Sequence, residues 1–141
     1  MNVLIIDGQG GGIGKQVAAM IKEELPEAVV TAVGTNSTAT AAMLKAGADF
    51  AATGENAIIV NCRRADVVIG PIGIVIADSL MGEITPNMSV AIGQSNAKKI
   101  LIPVNHCENF VVGVPDLSIV KLIRNAVDKL KELQCQSAQN I

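Results

Sequence analysis

Tryptophan and tyrosine are absent from this 141-residue chain, and Phe50 and Phe110 are its only aromatic side chains. Half of the residues are hydrophobic all the same, so the core has to be assembled from Ile, Val, Leu, Met and Ala. An aliphatic core of this kind suits a parallel sheet covered on both faces, whose strands read as near-continuous Val/Ile/Leu runs. The missing aromatics remove the stacking platforms that hold single-stranded nucleic acid. A net charge of −2 with no basic cluster removes the electrostatic footprint of a duplex binder. No apolar run reaches the length of a membrane span. Cys62, Cys107 and Cys135 lack C-x-x-C spacing, which fits reduced thiols rather than a disulfide framework or a metal site. Met1 leads straight into an apolar strand, so the reading is a cytoplasmic protein with no signal segment.

The chain does have glycine in a telling place. The opening, MNVLIIDGQGGGIGK, runs an apolar strand (Val3–Asp7) into Gly8, Gln9, Gly10, Gly11, Gly12, Ile13 and Gly14 before an amphipathic helix begins. A strand end, a glycine turn and a helix start together make a site for phosphate, because the backbone can approach closely and helix N–H groups point at the anion. The same glycines also serve a tight strand-to-helix connection without a ligand. Asp7 opposes the first reading, since a carboxylate at the mouth of an anion site repels phosphate unless it is turned away, bonded to the loop amides or paired through a metal.

Further along, strands are predicted at Ala28–Val33, Asp49–Ala52, Asp66–Ile69, Lys99–Val104 and Phe110–Val114. Helices are predicted from Ser37 to Ala46, from a Thr53 cap to Arg64, over the apolar run Ile72–Leu80, from a Thr85-Pro86 start to Asn96, and from Pro115-Asp116 onward. The closing helix carries the stripe Leu117, Val120, Ile123, Val127 and Leu130, and Gln134–Ile141 reads as a patternless tail. Residues 1–133 thus form one α/β domain, a Rossmann-like doubly wound parallel sheet of five to six strands, and 134–141 a flexible extension. The expected strand order is 3-2-1-4-5-6, with a five-stranded flavodoxin-like order as the alternative. Either order places ligands beyond the carboxyl ends of the strands. That rule selects Gly8–Gly14, Gly34–Asn36, Gly70–Gly73 and Asn105–Glu108.

The end of the second strand is where a carboxylate holds ribose hydroxyls in NAD sites, or an arginine takes the 2′-phosphate in NADP sites. Thr35, Asn36 and Ser37 stand there, neutral and rich in hydrogen-bonding groups. They predict little discrimination between the two, although Ser37 or Thr38 also suits a plain helix cap. Gly70 and Pro71 close the fourth strand and would offer a second helix start to the same ligand. His106 and Cys107 are adjacent in a loop; neighbouring residues point apart, so surface positions suit them better than a nucleophilic pair. Asp78, inside an apolar run, reads as bonding a backbone amide or lining a subunit contact.

The Gly8-x-x-x-Gly12-Ile13-Gly14 spacing resembles the cofactor loop of the short-chain dehydrogenase/reductase family, T-G-x-x-x-G-I-G, with Asp7 in the threonine position. That resemblance covers about forty residues and implies a nicotinamide-nucleotide loop, but the family's Tyr-x-x-x-Lys pair cannot exist in a chain without tyrosine. Gly11-Gly12-Ile13-Gly14-Lys15 also resembles the deviant phosphate loop of the septum-positioning ATPases. There Gly10 replaces the signature lysine and Gln16 the magnesium-binding hydroxyl, which removes the usual metal position. Over nearly its whole length the chain resembles a small bacterial family known only as a domain of unknown function. The blocks are Ile6–Lys15, VGTNS (Val33–Ser37), TGENA (Thr53–Ala57), GPIGIVI (Gly70–Ile76), GEITP (Gly82–Pro86) and IPVN (Ile102–Asn105).

These features support two functions. The first is a module binding NAD(P) or another adenine nucleotide, or phosphate, without dehydrogenase chemistry. The second is a small oligomeric oxidoreductase or transferase whose site, drawing on Asp7, Asn36, Asn105, His106 or Cys107, is completed between subunits. Neither involves nucleic acid or a membrane, and the apolar run Ile72–Met81 predicts a homodimer or larger assembly.

Overall fold

The structure is a computed structural model and describes residues 1–104 and 109–140. Five parallel strands, β1 (Asn2–Asp7), β2 (Val29–Gly34), β3 (Phe50–Thr53), β4 (Val67–Pro71) and β5 (Lys98–Ile102), form one sheet in the order β3-β2-β1-β4-β5. The register aligns Leu4 with Thr31 and Val68, and Thr31 with Phe50.

Alternate residues of each strand enter two separate cores, as the two-residue period of a strand requires. On one face Val3, Ile5, Val30, Ala32, Val67, Ile69, Ile100 and Ile102 lie under three helices. These are α1 (Gly12–Glu24), α2 (Ser37–Lys45) and α5 (Ile119–Gln139). On the other, Leu4, Ile6, Val33 and Val68 lie under α3 (Glu55–Cys62) and α4 (Pro86–Gln94). No aromatic side chain enters either layer; Ile, Val, Leu, Ala and Met fill them, with Cys62 in the second. In α1 the buried positions Gly14, Val17, Ala18 and Ile21 form the stripe that the 3.6-residue period dictates. Polar clamps fix the helices at their ends. Lys22 bonds both oxygens of Asp49 at 3.1 and 3.0 Å, and Asp49 also accepts the Val30 N–H at 2.8 Å. Glu24 receives both Arg124 and Lys131 from α5.

Four sequence expectations change. Phe110–Val114 does not become a sixth strand; it is irregular, with Gly113 in a left-handed conformation (φ 84°) and Phe110 and Val112 facing solvent. Ile72–Leu80 is not a helix. It is a single 3-10 turn (Ile72–Val75) followed by a hydrogen-bonded loop in which Asp78, Leu80 and Met81 take positive φ. With Ile74 and Leu80 buried, Ile72, Val75 and Ile76 half-buried, and Ala77 and Met81 exposed, most of this run is covered within the chain and no longer requires a partner. The closing helix starts at Ile119 behind a Ser118 cap, buries Ile123, Ala126, Val127 and Leu130, and leaves Val120 61% exposed. It runs on to Gln139, so most of the expected patternless tail is helical, although its last turns are exposed.

Candidate functional site

The carboxyl ends of β1, β2 and β4 meet where the strand order reverses, and the side chains gathered there are Asp7, Thr35, Asn36 and Glu83. Asp7 is the last residue of β1 and only 4% exposed. Its carboxylate folds under the glycine loop, accepting the N–H of Gly8 at 2.8 Å and of Gly14 at 2.7 Å. Gly14 is the third residue of α1, and the helix has no side-chain cap from its own N-cap residue, Gly11. Asp7 therefore satisfies donors that a helix start leaves open. Burial raises the Asp7 carboxyl above the ordinary aspartate range; the amides of Gly14, Gly8 and Ile13 pull it back only in part, and the charge of Glu83 pushes it further up.

Within the loop the glycines have different jobs. Gly11 needs its left-handed φ of 71°, and a Cβ there would stand 2.8 Å from the Cα of Ala39. A Cβ on Gly14 would press into Asp7 and Met43. Gly10 and Gly12 instead border open space, with nothing within 4 Å of an added Cβ. Among the described residues, no hydrogen bond engages the Gly10 or Gly12 amide, whereas Gly11 donates to Gly8 O at 2.9 Å.

Glu83 comes from the connection between β4 and α4, inside the GEITP block, which carries no known binding signature. Its neighbours Leu80 and Ile84 are buried, and the loop closes on itself through Asp78 N–H to Ile84 O at 2.8 Å and Glu83 N–H to Leu80 O at 3.1 Å. This anchoring holds the Glu83 carboxylate over the end of β2. Oε1 accepts from the Thr35 hydroxyl at 2.7 Å and the Asn36 amide at 2.6 Å, and the Gln9 N–H lies 3.0 Å from Oε1 and 3.2 Å from Oε2. Partial burial works against the charge of Glu83, but the Thr35, Asn36 and Gln9 donors together hold it below the ordinary glutamate range. Asn36 is bifunctional: its Oδ1 caps α2 by accepting from Ala39 N–H at 2.9 Å, while its Nδ2 also donates to Gln9 O at 2.9 Å. Asn36 thus takes the capping role considered for Ser37 or Thr38, and Ser37 is simply the first residue of α2.

The expected site residues are thus partly assembled. Gly8, Gln9, Gly10, Gly11, Gly12, Ile13 and Gly14 form the loop, and Thr35 and Asn36 meet it through Glu83. Gly70 and Pro71 end β4 beside β1, where a Cβ on Gly70 would strike the Ile6 carbonyl. The chain leaves Pro71 through one 3-10 turn, so the second helix N-terminus expected there does not exist. Asp78 is exposed in a left-handed turn, a conformation Asp tolerates better than most residues. Asn105, His106, Cys107 and Glu108 lie outside the described residues. Sequence reasoning missed Glu83; its only signal there is a carboxylate in GEITP, just ahead of the α4 start.

Open space is distributed unevenly. A cavity of about 380 Å³ lies at the opposite edge, against the starts of β1, β2 and β3 (Asn2, Val29, Phe50) and the end of α3. Another, of about 500 Å³, lies between α3 and α4. Neither has convergent charged groups. At the carboxyl edge the gap beside Pro71, Gly73, Ser79 and Leu80 is about 20 Å³, because the Glu83 loop packs over it. Among the described residues no group of three or more His, Cys, Asp or Glu side chains is placed to hold a metal ion. No described helix is long and apolar enough to cross a membrane.

Sheet order, crossover helices and a glycine loop at the switch point define a Rossmann-like α/β module. The chain belongs to the family described as Domain of unknown function (DUF3842), whose model matches residues 2–135. No curated protein matches it. Among solved structures it is similar to a dodecameric FMN-dependent UbiX-like decarboxylase from Escherichia coli O157:H7. The identity is 17% and the TM-score 0.46, over 93% of this chain and 76% of that one.

Proposed function

We propose that the carboxyl edge of the sheet binds a ribose-bearing nucleotide, with NAD or another adenine nucleotide as the class and with Glu83 as the acceptor for ribose hydroxyls. The observation that carries this reading is the Glu83 carboxylate fixed over Thr35, Asn36 and Gln9 at the end of β2. An acidic group at that place takes a ribose diol in dinucleotide sites. Here it arrives from another loop. Oε2 makes only the longer contact to Gln9 and retains lone pairs for a ligand.

The fit for the phosphate half is narrower. Asp7 already takes the Gly8 and Gly14 amides, so a pyrophosphate would be held by the Gly10 and Gly12 N–H groups, over the open side of the loop. A carboxylate at the ribose position repels a 2′-phosphate, so the equal treatment of NAD and NADP expected from Thr35–Ser37 gives way to a preference for NAD.

The reading is tested by thermal unfolding with NAD, NADP, ADP, ATP, FMN and inorganic phosphate. A ligand at a hundred times its Kd contributes about 2.7 kcal/mol, or roughly 8 °C for a domain of this size. Gly12→Val should abolish the shift while leaving the unliganded midpoint unchanged, because its Cβ meets no atom within 4 Å and the branched side chain fills ligand space. If no nucleotide shifts the parent, or Gly12→Val keeps the full shift, the loop is only a turn.

A further inference from the structure

Half of the ten large hydrophobic side chains that stand exposed among the described residues fall within one short stretch: Phe110 (85% exposed), Val112 (96%), Val114, Ile119 and Val120. Phe110, Val112 and Val114 lie on the segment between β5, an edge strand of the sheet, and α5, and Ile119 and Val120 are the first two residues of α5. Val111 and Leu117 turn partly inward along the same stretch. With Pro103 and Leu122, and with Val114 and Asp116 at its rim, they line a cavity of about 230 Å³ beside the start of α5. The segment is therefore seated on the body of the protein, and its outward residues form a presented face. The five side chains expose on the order of 500 Å² of apolar surface, near the upper end of the ~300–600 Å² patch that an ordinary monomer shows.

We propose that the 110–120 face docks a second copy of this chain in a two-fold dimer. Two such patches brought together bury on the order of 1,000 Å², about the area at which an interface becomes specific. Charge supports a second copy over a charged partner. From Phe110 to Lys121 the only charges are Asp116 and Lys121, both exposed and of opposite sign. In an isologous contact each residue meets its counterpart on the other subunit, so a two-fold can set Asp116 of each copy against Lys121 of the other. The contact also gives the apolar stretch Phe110–Val114, which pairs with no described strand of its own chain, a surface to cover it. This proposal is independent of the nucleotide reading.

Sedimentation velocity from 1 to 100 µM tests it. The parent should sediment at twice its 14.6 kDa mass. Phe110→Asp and, separately, Val120→Asp should each weaken the dimer at least a hundredfold, with circular dichroism unchanged because both side chains are exposed. Phe50→Asp, which alters the other exposed aromatic residue, should leave the dimer intact. A parent that is monomeric throughout would overturn the proposal and assign the face to a different protein or to none. So would a dimer that survives both charged variants, or one broken by Phe50→Asp alone.

Discussion

The glycine loop after β1 and the loop before α4 face each other across the carboxyl edge of the sheet, and they contribute opposite things. The first is all backbone: five glycines, no charged side chain, and a helix start whose Gly14 amide is already taken by Asp7 from below. The second has no glycine-rich signature, yet it delivers the one carboxylate among the described residues that reaches both the loop and the end of β2. A glycine motif marks where a ligand's backbone contacts can be made. The charge that chooses among ligands can come from elsewhere, and in the proposed reading it comes from a loop whose Asp78, Leu80 and Met81 all hold left-handed backbone. The first loop is legible because glycine states its purpose, and the second is not because a left-handed Leu or Met leaves no trace in sequence.

The largest expected effect separates packing glycines from open ones. Gly14→Val should cost about 3 kcal/mol or more in denaturant unfolding, since its side chain must displace Met43 and Asp7 from a close-packed interior. Gly12→Val, two residues earlier, should stay within about 0.5 kcal/mol of the parent. Equal costs would erase the distinction on which the site rests.

Next in size is the strained loop. Met81 is 89% exposed with φ 57°, so Met81→Gly should relieve left-handed strain and stabilise the fold by about 1 kcal/mol. Leu80 has similar strain, but it is nearly buried, and Leu80→Gly should destabilise through lost packing. Chemical unfolding of the two variants should therefore give opposite signs.

Asp7 gives a pH signature. Its folded pKa lies above the unfolded value, so its contribution to stability is fully present below the ordinary aspartate pKa and is lost as pH rises through the folded pKa. Glu83 and Glu24 are depressed and run the other way, contributing above their ordinary values and losing that contribution as pH falls through the folded ones. Asp7→Asn cannot ionise. The difference in Tm between Asp7→Asn and the parent should therefore move in favour of the variant between pH 4 and 7, whatever hydrogen bonding it loses. A difference that is flat with pH would mean that Asp7 titrates normally.

Much of the scaffold is readable from residues. The β1–loop–α1 unit is legible in Val3–Asp7, the glycines and the Val17/Ile21 stripe, and Thr85-Pro86 marks the α4 start with its cap, the Thr85 hydroxyl accepting from Met88 N–H at 3.2 Å. Sequence and structure part where apolar density imitates regular structure. FVVGV is as apolar and β-branched as a buried strand, but it is irregular, with Gly113 in a left-handed conformation, and does not pair beside β5. The run from Ile72 is apolar enough for a buried helix, but the chain leaves β4 through one 3-10 turn and then reverses. The site is half legible for a physical reason: strand ends and glycines are local features, whereas the meeting of Glu83 with Thr35 and Asn36 spans 48 and 47 residues and depends on the left-handed loop.

The central claim is that Glu83 selects what the glycine loop binds. Calorimetric titration of NAD and NADP into the parent and into Glu83→Gln tests it most directly. The parent should bind NAD at least tenfold more tightly than NADP, and Glu83→Gln should close most of that gap, in part by binding NADP better than the parent does. Equal affinities in the parent, or a preference that Glu83→Gln leaves unchanged, would contradict it.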